Sequence, residues 1–149
     1  MRISLFIVLL ALSIVSCGTK RDDVRDFSAI EVKFPDGGTV LAERVYETLE
    51  LARGLMFRET LPAERAMLFV WGKPGKYAAW MYQVKFPIDI VWMDLDRRVL
   101  EIASAPPCPS KSARDCPHFG GTQNAHYMLE LANGMAAKHG LRVGSQLSF

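Results

Sequence analysis

The sequence predicts a mainly β domain, a sandwich or barrel in which two short helices act as connectors. Three observations carry that expectation. Short apolar or alternating segments recur along the chain, and turn chemistry separates them at intervals of roughly 8–12 residues. Only two stretches read as helix, and both are short. Strands do not alternate with helices, so a parallel doubly wound sheet is not expected.

Ile30-Glu31-Val32-Lys33-Phe34 alternates apolar and polar residues and forms the first expected strand. Pro35-Asp36-Gly37-Gly38 follows, where proline presets φ and glycine permits positive φ. A second strand over Thr39–Val45 completes a hairpin. Thr48–Arg53 holds good helix formers, with Thr48 as the expected cap and Gly54 as a stop or bend. After the break at Leu61-Pro62, Met67-Leu68-Phe69-Val70-Trp71 is a continuous apolar run, the pattern of a buried strand. Two more strands are expected at residues 78–84 and Ile88–Met93, separated by Phe86-Pro87. Residues 94–97 turn the chain into a strand at 99–102, and a Pro/Cys/Gly-rich loop covers about 105–123. Residues 126–131 read as a strand with Tyr127, Leu129 and Leu131 on one face. A short capped helix at 133–140 and a final strand at 146–149 end the chain.

The N-terminus bears on location. Arg2 precedes an apolar run from Ile3 to Val15 that ends in Ser16-Cys17. That run is shorter than the ~20 residues a membrane-spanning helix needs. Ile14 is bulky for an ordinary Ala-x-Ala cleavage site. Ile14-Val15-Ser16-Cys17 resembles a bacterial lipobox, in which the cysteine sulfur takes a diacylglyceryl group and becomes the new N-terminus. The expected organisation is a lipoprotein signal peptide at 1–16, a lipidated N-terminus and tether at 17–26, and one β domain at 27–149. Cys17 would then place the protein against a bilayer. Gly18 after it, where inner-membrane retention often uses aspartate, suggests the periplasmic face of the outer membrane by resemblance to known lipoproteins.

Charge and cysteines narrow the partners. The formal net charge of +2 drops to +1 once Arg2 leaves with the leader, which argues against a polyanion partner. Export also disfavours nucleic acid and cytosolic cofactors such as ATP, and no cofactor is expected. Cys108 and Cys116 remain after Cys17 is lipidated, and an oxidising compartment makes a disulfide between them the expected outcome. His118 and His126 lie close enough in sequence to raise a zinc site, but the spacing matches no finger or ribbon.

Arg53-Gly54-Leu55-Met56-Phe57-Arg58, Met67-Leu68-Phe69-Val70, Trp80-Met81, Pro87-Ile88-Asp89-Ile90, Leu129-Glu130 and Leu141-Arg142-Val143-Gly144 occur in a telling order. As a set they resemble the domain of unknown function 192 family over about residues 30–149. The resemblance implies a compact, jelly-roll-like β-sandwich and no particular activity. Family members typically follow Trp-Met with Lys-Asn-Thr, where this chain has Tyr82-Gln83-Val84. A polar function shared at those positions would retain only Gln83.

Asp89 sits within Ile88-Asp89-Ile90-Val91-Trp92, where a carboxylate needs water or a partner. Arg53 and Arg58 are the expected partners in a structural ion pair; alternatively Arg53, Asp89 and Gln83 form the floor of a ligand pocket. Trp71, Trp80, Trp92, Tyr77 and Tyr82 could pack in the core or form a stacking platform for sugar rings. Met56, Met67, Met81, Met93, Met128 and Met135 lack a Met-x-Met cluster and read as core filler rather than copper ligands. The candidate ligand-binding residues are Arg53, Trp80, Tyr82, Gln83 and Asp89; no catalytic or metal-binding residue is assigned.

Catalytic motifs are thin: neither a Gly-x-Ser-x-Gly elbow nor a His-Glu-x-x-His helix is present. The expected function is a membrane-anchored envelope binding or accessory module for a glycan, an envelope polymer or another envelope protein. The first alternative is a carbohydrate-active hydrolase using Asp89 and Glu130 as an acid/base pair. The second is a structural component of an envelope complex.

Overall fold

The computed structural model describes residues 29–149. The signal peptide, the lipidation site Cys17 and the tether expected from the sequence lie outside the described residues. Eight strands carry most of the fold: β1 (Ala29–Lys33), β2 (Thr39–Val45), β3 (Arg65–Gly75), β4 (Ala79–Trp80), β5 (Ile88–Met93), β6 (Val99–Ala105), β7 (His118–Phe119) and β8 (Ala125–Ala132). The helices are α1 (Thr48–Arg53) and α2 (Met135–Lys138). Six strands form one mixed sheet in the order β1-β2-β3-β8-β5-β6, and β4 pairs with β7 in a separate ladder.

The β1–β2 hairpin closes as its turn residues require. Gly37 takes φ 87, and the Gly38 backbone N–H donates to Asp36 Oδ1 at 2.9 Å. Pairing between β2 and β3 is parallel, with Leu41 opposite Arg65 and Val45 opposite Phe69. The crossover between them carries α1, so one strand–helix–strand unit exists where none was expected. Its helix buries no residue, which left it without a readable core face. All other pairings are antiparallel.

Four local expectations need correction. Thr48 is the first helical residue; the cap position is Glu47, and no side chain caps it. The expected strand at 78–84 stops after Trp80, because Gln83 takes φ 59 and Val84 N–H bonds back to Met81 O. On α2 the cap position is Gly134 rather than Asn133, and the helix N–H groups look elsewhere for an acceptor. The final segment makes single bridges, Ser148 to Lys33 and Gln146 to Arg98, rather than a strand. Those bridges join the chain end to both sides of the sheet, since Lys33 lies on β1 and Arg98 just before β6. Among the described residues β1 and β6 do not pair with each other, so the architecture is sandwich-like rather than a closed barrel.

The sheet is covered on both faces, which is why β5 is buried at all six positions. One face packs Val32, Phe34, Leu68, Val91, Leu129 and Leu131 against α2 and the chain end. The other packs Phe69, Ile90, Trp92 and Met128 against Leu55, Met81 and Val84. Trp92 is wholly buried there and donates its indole N–H to Tyr77 O at 2.7 Å. Gly120 lies directly on that ring: a Cβ at Gly120 would approach it to 2.4 Å. Five of the six methionines named above are buried as core filler, and Met56 is half-buried. Among the described residues, no helix is long and apolar enough to cross a membrane.

Candidate functional site

Strand alternation decides which side chains can meet. On β5, Ile88, Ile90 and Trp92 face the Phe69 side, so Asp89 faces the α2 side with Val91 and Met93. Asp89 is 2% exposed and well satisfied. Its Oδ1 accepts from Ser104 Oγ at 2.8 Å, and its Oδ2 accepts from the Ala136 backbone N–H at 2.9 Å. The carboxylate therefore serves α2 as an N-terminal cap supplied from the sheet, matching its charge to the helix end. No arginine takes part. Arg58 instead holds Glu43 through two hydrogen bonds of 2.7 and 2.6 Å, on the opposite side of the sheet from Asp89.

The Phe69 side carries a cleft of about 160 Å³. Helix α1 forms one wall and ends abruptly at Gly54, whose φ of 48° with ψ of −131° suits only glycine well. A Cβ at Gly54 would lie 3.1 Å from Phe69 Cζ and 4.0 Å from Glu130 Oε2, so the glycine keeps the space over Glu130 clear. Leu51, Leu55 and Met56 line the helix side, while Phe69, Trp71 and Met128 rise from the sheet. Trp80 and Val84 close the third side, and Arg53 lies in the wall with its guanidinium 5.9 Å from the Phe57 ring centre.

Glu130 is the polar centre of this cleft. It follows Met128 on β8 and points to the same face, opposite Leu129 and Leu131. Only 6% of it is exposed, and no described residue hydrogen-bonds its Oε2. Burial pushes the carboxyl up to about 8, and the nearby Arg58 charge offsets that only in part. At neutral pH it is therefore mostly protonated, with an O–H to donate.

The candidates named from sequence divide accordingly. Arg53 and Trp80 line the cleft. The Tyr82 ring lies 5.6 Å from that of Trp80, and the His118 ring lies 6.2 Å from it. These three rings gather at partly exposed Trp80, which marks the mouth of the cleft. Gln83 is exposed, and its contribution comes from the backbone: its carbonyl accepts from Phe57 N–H at 3.0 Å. Its φ of 59 lies in the left-handed region, which few non-glycine residues adopt. Asp89 is on the far face. It cannot join Arg53 and Gln83 in a pocket floor, and it cannot pair with Glu130, because Ile90 rather than Asp89 is Glu130's register partner. Of the aromatics, Trp92 is core, and Trp71 stacks on Tyr77 at 3.9 Å.

Cys108 and Cys116 are joined in a disulfide, and Cys116 is buried. Among the described residues no three His, Cys, Asp or Glu side chains gather around a metal-sized space. Sequence reasoning named Glu130 only as a partner for Asp89 and passed over Met56, Phe69 and Met128 as cleft walls. The available signal was Leu129-Glu130-Leu131: a carboxylate on the opposite face from two leucines in a strand with a buried centre.

A family model, DUF192, described as uncharacterized ACR, matches residues 32–149. Among solved structures, the chain is similar to a protein of unknown function from Novosphingobium aromaticivorans. The identity is 30% and the TM-score 0.67, over 81% of this chain and 84% of that one. It is also similar to a Sinorhizobium meliloti protein provisionally assigned as a transcription regulator. There the identity is 23% and the TM-score 0.69, over 80% of this chain and 91% of that one. At that identity the second likeness shows the fold alone. No curated protein matches the chain.

Proposed function

The chain belongs to DUF192, a family of uncharacterized proteins, and from that premise we propose that it is a lipid-anchored envelope protein whose β domain is a non-catalytic binding module. The observation that carries the binding assignment is Glu130: a buried carboxyl whose Oε2 has no partner among the described residues, in an aromatic-walled cleft. Such a group costs stability and contributes none of the ties that Asp89 makes, which is the mark of a residue kept for a ligand. The anchor rests on Cys17 and the lipobox-like residues before it.

The glycan, envelope polymer and envelope-protein ligands expected from the sequence would all approach through the same mouth. Trp80, Tyr82 and His118 offer ring faces there, on which a flat ligand surface can stack. The hydrolase alternative loses its acid/base pair, because Asp89 and Glu130 sit on opposite faces of the sheet. Immobilised residues 27–149 are expected to retain envelope glycan or protein, and Trp80→Ala and Glu130→Leu should each reduce that retention. Equal retention by wild type and both variants would contradict the cleft as the binding site. Separately, Cys17→Ser should leave the membrane fraction or remain unprocessed; a variant processed and sedimenting like wild type would contradict the anchor.

A further inference from the structure

Three features of the cleft restrict what it can hold. The first is size: about 160 Å³ compares with the roughly 150 Å³ of an apolar cavity that accepts benzene. The second is the walls, where Leu51, Leu55, Met56, Phe69, Trp71 and Met128 offer no hydrogen bonds beyond the edge of one indole. Val84 completes the walls, and it too is apolar. The third is that, apart from exposed Arg53 at the end of α1, the lining presents one charged or acidic side chain, Glu130, nine-tenths buried and with Oε2 unpartnered among the described residues.

These features select among ligand chemistries. A saccharide ring inside the cleft would strand most of its hydroxyls against aliphatic walls. A cation would meet a lining that includes the like-charged Arg53 and, at neutral pH, a carboxyl that is mostly uncharged. An apolar body with one oxygen acceptor meets every surface: its carbons lie against the walls, and its oxygen accepts from the Glu130 O–H. Resting on the binding assignment above, we propose that the cleft takes a small apolar carbonyl compound of about benzene size, with the Glu130 carboxyl donating the hydrogen bond that orients it.

The arrangement makes binding depend on pH. The charge acting on Glu130 is Arg58, held by Glu43 of β2, while Arg53 at the end of α1 lines the same cleft and leans on the Phe57 ring. Strands β3, β4 and β8 add no further titratable side chain to the cleft lining. When Glu130 loses its proton above about 8 it can only accept, and a carbonyl ligand then has no donor.

Acetophenone is a suitable probe, read by quenching of Trp71 and Trp80 in residues 27–149. Saturable quenching is expected at about pH 6, with affinity about tenfold weaker at about pH 9.5, the size of one lost hydrogen bond. Glu130→Gln, whose amide still donates, should bind within about threefold of wild type and lose the pH dependence; Glu130→Leu should bind about tenfold more weakly while remaining folded. Toluene binding as tightly as acetophenone would overturn the role of Glu130. Competition by methyl glucoside or benzyltrimethylammonium in place of acetophenone would overturn the ligand class while leaving the cleft as a binding site. Failure of all four probes, with Trp80-dependent retention of envelope material intact, would overturn the carbonyl assignment and leave the mouth as the site. Failure of both experiments would remove the binding assignment itself.

Discussion

Asp89 and Glu130 are almost neighbours, on adjacent central strands and one register position apart, yet the sheet sends them into different surroundings. Asp89 is tied to Ser104 and to the α2 backbone, so it joins β5, β6 and the helix into one unit. Glu130 is equally buried, but its Oε2 finds no described partner, and the backbone beside it bends through Gly54 to leave space. Burial alone does not separate a structural carboxylate from one held ready for a ligand. Satisfaction of its oxygens does.

The comparison can be broken most decisively by pH. Unfolded, Glu130 should titrate near the ordinary value of 4.5, whereas folded it titrates near 8. Between those values the folded state keeps a proton that the unfolded state has lost. Glu130's contribution is therefore most favourable below about 4.5, erodes as pH rises, and levels off above about 8. The swing amounts to at most roughly 5 kcal/mol. Glu130→Gln should remove it, so urea unfolding of wild type and variant should converge at low pH and separate at high pH, with the variant the more stable. Parallel curves would sink the assignment.

Asp89→Ala should do the reverse. It strands the Ala136 N–H at the buried start of α2, and a loss of about 2–3 kcal/mol is expected at neutral pH. A thermal melt within experimental error of wild type would show that α2 does not depend on this cap. Cys108→Ser combined with Cys116→Ser should lower stability by about 2–3 kcal/mol through the freed loop, and Trp92, against which Gly120 packs four residues beyond Cys116, should report it by near-ultraviolet dichroism. Arg53→Ala should be the mildest, within about 0.5 kcal/mol, because Arg53 is exposed and leans only on the Phe57 ring. A larger loss would return Arg53 to a structural role.

The strand ladder was legible because period-two alternation reports it directly. The segments at 30–34, Thr39–Val45 and Ile88–Met93 fall where the alternation or apolar run places them. The β4 region misled because Met81 and Val84 look like strand residues, and nothing in the letters of Gln83 announces a positive φ. The partner of Asp89 was hidden for another reason. It is a backbone N–H 47 positions away, which has no side-chain signature, so two arginines with visible charge were the more obvious choice. The disulfide was accessible from cysteine arithmetic alone, since the other cysteine, Cys17, has a separate expected fate. Glu130 could be named but not interpreted: its environment is assembled from α1, β3 and β4, and each wall residue taken alone resembles ordinary core.

The most direct measurement is a carbon-13 NMR titration of the Glu130 carboxyl in folded residues 27–149, with Asp89 observed in the same spectra. A Glu130 midpoint near 8, shifting upward when acetophenone is bound, is the predicted result. A midpoint near 4.5, or one insensitive to the probe, would contradict the claim that a buried neutral carboxyl waits in this cleft for its ligand.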